Sequence, residues 1–303
     1  MTFDLRQLTA FTTIVATGSL GRSADALHVT QPALSRTIKR LEEQVGAPLF
    51  ERHSKGMQLT AIGKALLPHA TLLLREAQHA AEEIDAMRGL VKGTIRVGAV
   101  GSIASMVLPL AIGEVLKKHP TLQVQVIEGV WDRLTDALIT HEVDLALGMA
   151  VDDTEDICAI GDCRWEDTSY VVAAADHPLH QKKNLSLSDT LSQPWALPPQ
   201  GTGPYEQMQQ VFHDHGLPMP DSAVETRSVM VLKSLVTRSG FLSWMPAPMF
   251  EVDRKAQLIT ALEIEGATGT RTLTAFRRRH GILPRPAVRL LEELRVLTDI
   301  KRT

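Results

Sequence analysis

The sequence has few cysteines, few aromatic residues and no long apolar run. Two cysteines in 303 residues exclude a disulfide-stabilised scaffold and are typical of a reducing compartment. Aromatic residues make up 4% of the chain, which argues against binding single-stranded nucleic acid by base stacking. The longest apolar stretch, 106–116, is interrupted by Pro109 and Glu114, so no membrane span is expected. Residues 1–7 lack the features of a signal peptide, and we therefore expect a cytoplasmic protein.

Motifs of several common enzyme classes are also missing. Gly63-Lys64 does not end a phosphate-binding loop, because Gln58 stands where that loop requires a glycine. His141-Glu142 does not begin a zinc-protease motif, since Leu145 occupies the place of the second histidine. The serine-hydrolase pattern Gly-x-Ser-x-Gly does not occur. We therefore expect a protein that is not an enzyme and that uses no metal and no cofactor.

Composition is that of an ordinary globular protein, with 44% hydrophobic and 22% charged residues and a net charge of −3. Residues 1–92 are slightly basic and the rest of the chain is acidic. This asymmetry is compatible with one end that binds nucleic acid, although random scatter of charge would often produce it too.

The first 46 residues carry the pattern of three short helices. Apolar residues recur at helical spacing from Leu5 onward, and Gly18 ends the first helix. Ser19 is expected to cap a second helix. Thr30 is expected to cap a third, in which Pro32 is tolerated within the first turn.

The third helix has one apolar face and one polar face. Its buried stripe is predicted to be Leu34, Ile38, Leu41 and Val45. Small polar and basic residues lie on the opposite side, which indicates a helix-turn-helix whose second helix fits the major groove of DNA. Residues 49–60 then predict a wing of two short extended segments. The alternative for an isolated helix of this kind is a face that is simply solvated.

A long helix with a heptad pattern follows, from Thr60 or Ala61 to Gly89. Its seam steps alternately by four and three residues: Leu66, Ala70, Leu73, Ala77, Ala80, Ile84 and Met87. We expect this seam to hold two chains together as a homodimer, or within a homotetramer. Packing of the stripe on its own domain is the alternative.

The motifs of these first residues resemble the LysR-type transcriptional regulators. The similar segments are LRQLTAF at 5–11, GSL at 18–20, ADALHVTQPALSRTIKRLE at 24–42, GAPLFER at 46–52 and LTAIG at 59–63. The resemblance implies double-stranded promoter DNA as a partner, and contact with RNA polymerase is an expectation of the same origin. It assigns DNA-contacting positions to Ser23, Thr30, Gln31, Pro32, Ser35, Arg36, Lys39 and Arg52, to which we add Arg22 and the wing residue Lys55.

From Thr94 onward, short β-rich runs alternate with helical ones, which predicts an α/β fold. Its predicted elements include a helix from about Ile103 to Lys118 and a strand at 168–175. The resemblance implies a periplasmic-binding-protein-like (type II) effector-binding domain of two α/β lobes. The predicted domains are an N-terminal all-α winged helix-turn-helix (1–60), a linker and dimerisation helix (61–89) and this effector-binding domain (90–303). Lobe I is expected to comprise 93–163 and 268–303, and lobe II 164–267.

Two turns that open helices are the leading candidates for contact with a small-molecule effector. Open α/β sheets bind ligands beyond the carboxyl ends of their strands, where free amides favour anions. We therefore expect a small organic acid, aromatic in one version of the hypothesis. The candidate residues are Gly101, Ser102 and Ile103 on one turn, Gly201, Thr202 and Gly203 on the other, and Val130, Trp131, Met149, Val229 and Met230 as apolar walls.

The sequence allows three other interpretations. A small-molecule-binding or transport protein of the same fold without a DNA function would need a signal peptide. Cys158 and Cys163 could form a redox pair, but only Arg164 is close enough in sequence to lower a thiol pKa. The basic run 277–280 is expected to be a solvated strand end, with an anion or polymerase contact as the alternative.

Overall fold

A computed structural model describes residues 2–53, 56–87 and 93–299 of the chain. The chain divides into two compact units: Met1–Lys92 with Thr140–Glu142, and Gly93–Ile139 with Val143–Thr303. Within the described residues, no helix combines the length and the apolar character needed to cross a bilayer.

The first unit is a winged helix-turn-helix followed by a long helix. Its elements are α1 (Leu5–Thr17), α2 (Leu20–Ala26), α3 (Gln31–Val45), β1 (Phe50–His53), β2 (Gly56–Leu59) and α4 (Ala61–Met87). The predicted helix ends are confirmed: Ser19 and Thr30 cap α2 and α3, and Gly18 ends α1 in a left-handed conformation. The N-cap of α1 is Asp4, whose carboxylate accepts a hydrogen bond from the Arg6 amide.

The helices of this unit enclose one apolar core, which begins with Leu8, Phe11 and Ile14 of α1 and Leu34, Ile38 and Leu41 of α3. The wing consists of β1 paired antiparallel with β2. Glu42 of α3 holds it by hydrogen bonds. The Glu42 carboxylate accepts hydrogen bonds from the amides of Leu49 (2.8 Å) and Phe50 (3.4 Å). The Phe50 ring packs on Phe11, with ring centroids 5.3 Å apart. The wing therefore has a fixed direction relative to α3.

The second unit is an α/β structure of two lobes, as the sequence predicts. Lobe I contains β3 (Gly93–Ala99), α5 (Gly101–Ser105), α6 (Leu108–Lys118), β4 (Leu122–Glu128), α7 (Trp131–Ile139), β5 (Leu145–Met149) and α11 (Arg285–Asp299). Lobe II contains β7 (Trp195–Leu197), α8 (Gly203–Asp214), β8 (Ser222–Glu225), α9 (Val229–Ser239), β9 (Ser243–Pro246), α10 (Ala247–Lys255) and β10 (Ile259–Ala261). Two short 3-10 helices, Pro178–Gln181 and Leu187–Thr190, also lie in lobe II.

Two long antiparallel strands, β6 (Ile157–Ala174) and β11 (Thr268–Arg278), run through both lobes. In lobe I, β11 pairs with β5, and β5, β3 and β4 follow in parallel. In lobe II, β6 pairs with β9 and β10. Arg164 lies opposite Thr274, and the next pair is Ile160 with Ala275, so residues 161–163 form a bulge at the crossing.

The structure corrects several predicted boundaries. The helix expected from Ile103 to Lys118 is two helices, α5 and α6, and Pro109 lies in the first turn of α6. The strand expected at 168–175 is the much longer β6. The return crossing lies near Thr274 instead of residue 268, because Thr268–Arg271 still pair with lobe II residues of β6.

Candidate functional site

The exposed face of α3 is the first candidate surface. Thr30, Gln31, Pro32, Arg36 and Lys39 are exposed, and Ser35 is half-buried. Leu34, Ile38 and Leu41 point the opposite way into the core. Lys39 makes a long ion pair with Glu43 (3.9 Å) in which both side chains remain largely solvated, so the ammonium stays available. The surface can therefore present an amide, a guanidinium and an ammonium to the edges of base pairs.

Two predicted phosphate contacts on α2 behave differently. Ser23 is fully buried, and its hydroxyl lies within hydrogen-bond distance of Thr17 Oγ1 (2.6 Å) and the Ser19 carbonyl (2.7 Å). The predicted contact of Ser23 with DNA is therefore wrong in this structure, since its hydroxyl joins α1 to α2. Arg22 is exposed, and its guanidinium donates to the Thr17 carbonyl.

The wing residues are only partly covered by the structure. Arg52 lies in β1, and its side chain is outside the described part of the chain. Lys55 lies outside the described residues altogether. Both assignments stay predictions.

The predicted dimerisation seam changes character along α4. Leu66 and Ala70 are buried in the core of their own unit, so they are not available to a second chain as predicted. Leu73 is 42% exposed and Ile84 58% exposed, and Ala80 between them is also exposed. Ala77 is half-buried, and the side chain of Met87 is outside the described residues. Along the predicted seam, the apolar surface that is exposed to another molecule thus begins near Leu73.

In the second unit, the first turn of α5 meets β11 through a buried polar group. Ser102 is 1% exposed, and its hydroxyl accepts a hydrogen bond from Arg271 Nη2 at 3.2 Å. Arg271 also donates to both carboxylate oxygens of Asp167, from Nε at 2.7 Å and from Nη2 at 2.9 Å. This contact between lobes I and II was not predicted. The signal for this contact in the sequence was the charged residue Arg271 within the alternating segment 268–276.

The second predicted turn lies at the start of α8. Thr202 is 6% exposed, and its hydroxyl donates to the Pro199 carbonyl at 2.7 Å. Met149, at the end of β5, approaches Gly203: its Cε would lie 3.7 Å from a Cβ at that position. Lobe I and lobe II therefore touch here as well, and Gly201 is exposed beside this contact.

Several other predicted effector residues are placed differently from the prediction. Ile103, predicted as part of the first turn, is fully buried in the core, and the predicted wall residue Met230 is 78% exposed, so neither fits its predicted place. The Trp131 ring instead packs on Gly148 and on Phe276, whose ring centroid is 4.6 Å away. Val130 precedes α7 and is half-buried, as is Val229 at the start of α9.

Both cysteines are buried, with free thiols. Burial, followed by the charge of Asp162, raises the pKa of Cys163 to about 12. A thiol with this pKa is protonated at neutral pH and is a poor nucleophile. The geometry therefore does not support a redox pair. In the basic run, Arg278 is also largely buried and donates to the Leu138 and Val143 carbonyls, so the expectation of a solvated strand end is wrong there.

Comparison with known proteins relates both units to one family. The family model described as bacterial regulatory helix-turn-helix protein, lysR family, matches residues 5–64. The model described as LysR substrate binding domain matches residues 88–297. The transcriptional regulator YdcI of Escherichia coli K12 is 31% identical over 265 residues, which cover 86% of this chain and 85% of that protein. The regulator CfxR of Cupriavidus necator is 30% identical over 262 residues, covering 86% and 81%.

Solved structures give the same fold. The full-length regulator CbnR, solved in complex with its target DNA, superposes with a TM-score of 0.72 at 23% identity, covering 97% of this chain and 99% of that one. These matches do not favour the alternative of a transport protein without a DNA function, because the helix-turn-helix is matched as such.

Proposed function

Because the chain belongs to the LysR family of transcriptional regulators, we propose that it reads a specific promoter sequence as a homodimer or homotetramer under the control of a small organic acid. The observation that supports binding to DNA is the exposed polar and basic face of α3, which lies opposite the buried residues Leu34, Ile38 and Leu41. A solvated face would need no such arrangement of turn, helix and wing.

Gln31 and Arg36 are the residues that we propose to read bases. A glutamine amide can pair with the edge of adenine, and an arginine with that of guanine. Both side chains are exposed on the same helix, near its N-terminal half, which is the part of a recognition helix that enters the groove. Lys39 and Arg22 then contact phosphates and strengthen binding without adding sequence preference.

Dimerisation is proposed along the second half of α4. The exposed residues Leu73, Ala80 and Ile84 lie near heptad spacing, and apolar side chains of this size gain free energy when a second helix covers them. Pairing there would hold two DNA-reading units at a fixed separation. Contact with RNA polymerase follows from regulation of transcription and has no assigned residue.

Effector control is proposed to operate between the two lobes of the second unit. The lobes touch where Ser102 meets Arg271 and where Met149 approaches Gly203, next to Thr202. Ser102 accepts from Arg271, and its hydroxyl proton has no acceptor among the described residues, so it can be donated to an anion. We include aromatic acids because Met149, like other methionines, adapts its shape to flat apolar groups.

Selection from a pool of random duplexes, followed by footprinting, tests the DNA proposal. Gln31→Ala and Arg36→Ala should each lower affinity for the selected site by about 5- to 150-fold and relax the preference at one base position. Arg6→Ala is the matched control, because Arg6 is exposed on α1, away from α3. Unchanged base preference in both α3 variants would contradict the assignment.

Thermal shift of the full-length protein against a panel of small organic acids tests the effector proposal. An acid that stabilises the wild type should stabilise Ser102→Ala less and should alter the footprint of the wild type on DNA. An acid that alters the footprint equally in both proteins would contradict the role of Ser102.

A further inference from the structure

The polar contact between the lobes belongs to one face of the two long strands. Asp167 and Arg271 lie directly opposite each other on β6 and β11, so their side chains share a face. Two residues further along β6 is Ser169, opposite Gly269. A Cβ at Gly269 would lie 2.6 Å from Gln207 Cδ, which shows that α8 covers this face. The face therefore lies between α8 of lobe II and Ser102 of lobe I.

This face keeps hydrogen-bonding capacity that the protein itself does not use. Asp167 and Ser102 occupy Nε and Nη2 of Arg271, and Nη1 has no partner among the described residues. Ser169 is fully buried, yet its hydroxyl has no partner in the described part of the chain. The indole N–H of Trp165, on the same face of β6, is likewise unpartnered. Buried polar groups are normally satisfied, so the unpartnered Ser169 hydroxyl, on the strand face that carries Arg271 and Asp167, points to a ligand.

The chemistry of these groups selects the ligand. A guanidinium has two edges that can each bind a carboxylate, and Asp167 takes one of them here. The Ser102 hydroxyl, which accepts from Nη2, can donate its own proton beside the second edge. Asp167 is one acidic side chain at this edge, and Glu128, whose Oε1 would lie 3.1 Å from a Cβ on Gly101, is another beside the first turn of α5. They oppose any second negative charge on the ligand.

We propose that the effector carries a single carboxylate, and that Arg271, oriented by Asp167, is the residue that binds it. This inference rests on the proposed effector control. Arg271 is only 12% exposed and Asp167 not at all, so the bidentate pair holds the guanidinium in one orientation at low dielectric. The hydrogen bond from Arg271 Nη2 to the Ser102 hydroxyl joins the lobes in this structure. A bound carboxylate would accept hydrogen bonds from the same guanidinium and the same hydroxyl.

Matched ligand trios test the proposal by thermal shift of the full-length wild type. One trio is benzoate, benzamide and phthalate; the other is butyrate, butyramide and succinate, all at equal concentration. At least one monoacid should bind about tenfold or more tightly than both its amide and its diacid, because a charge-assisted hydrogen bond is lost in the first and repulsion is added in the second. A preference for the amide or the diacid, or no stabilisation by either monoacid, would overturn the proposal.

The double variant Arg271→Met with Asp167→Leu is designed to fold, since apolar residues of similar volume often replace a buried ion pair without loss of stability. It should bind the monoacid and its amide about equally. Arg164→Met is the control, because Arg164 is exposed near the crossing of the same two strands, and it should keep the wild-type preference. A double variant that still prefers the monoacid about tenfold would show that Arg271 does not bind the carboxylate.

DNA binding without any ligand separates this proposal from the proposed function. If the wild type binds no DNA but prefers the monoacid, the regulator function fails and the Arg271 site stands. If the wild type binds a specific DNA sequence and the double variant keeps the acid preference, the regulator function stands and the Arg271 site fails.

Discussion

The contact between the wing and the end of α1 can be tested by a single methyl group. Gly56 has φ of 118°, and a Cβ there would lie 2.6 Å from the Gly18 carbonyl oxygen. The same oxygen accepts a hydrogen bond from the Met57 amide at 3.0 Å. Gly56→Ala must therefore move the wing away from α1 and weaken that bond.

A control for the backbone cost is available in the same unit. Gly46 also has a positive φ, of 80°, but a Cβ there would meet nothing within 4 Å. Gly46→Ala should therefore cost only the left-handed conformation, about 1 kcal/mol. Gly56→Ala should cost in addition about 1 kcal/mol for the hydrogen bond and about 1–3 kcal/mol for the overlap.

Hydrogen exchange of the full-length protein measures the difference, and urea unfolding followed by tryptophan fluorescence is the control for the second unit. All four tryptophans, Trp131, Trp165, Trp195 and Trp244, lie in the second unit, so their fluorescence should be unchanged by either variant. The first unit is followed by hydrogen exchange of the Met57 amide, which should be much faster in Gly56→Ala than in Gly46→Ala. Equal exchange in the two variants would show that the close approach to Gly18 does not constrain the wing.

Three further outcomes follow from the second unit. Burial lowers the pKa of His119, whose Nε2 accepts a hydrogen bond from Arg289 Nη1 at 2.7 Å. The free energy of unfolding should therefore fall as the pH drops below about 6.5, because the buried imidazole must then take up a proton. His119→Gln should flatten this dependence of the unfolding free energy on pH. Cys163, with a pKa raised to about 12, should resist iodoacetamide until the protein is unfolded in urea; rapid labelling of the native protein would contradict its burial. Gly148→Ala places a methyl group 2.3 Å from the Trp131 ring, should cost about 1–3 kcal/mol in urea unfolding, and should change the tryptophan emission; an unchanged spectrum and midpoint would show that the ring can move freely.

Local chemistry explains which parts of the fold could be predicted from the sequence. The ends of α1, α2 and α3 depend on capping side chains and on glycines within one turn, so Gly18, Ser19 and Thr30 were identified correctly. The two faces of α3 follow from its period. The break between α5 and α6 was missed because the apolar pattern continues through it, although Pro109 was a signal.

The candidate site between the lobes depends on contacts that no local pattern contains. Arg271 and Asp167 are 104 residues apart, and their pairing follows from the register of β6 and β11. Ser23 shows that a position predicted from resemblance can also have a different role in the packed structure. Its position was predicted from resemblance, but its hydroxyl is taken up by neighbours on α1 and α2, and only the packed structure reveals this.

The burial of Leu66 and Ala70 in the helix-turn-helix core makes α4 and α3 parts of one rigid piece. The 27 residues of α4 form a lever about 40 Å long. A tilt of about 5° imposed at its far end would move the reading helix by about 3.5 Å, close to the spacing of successive base pairs. A small change in the tilt of α4 would therefore be enough to shift α3 by about one base pair relative to its DNA site.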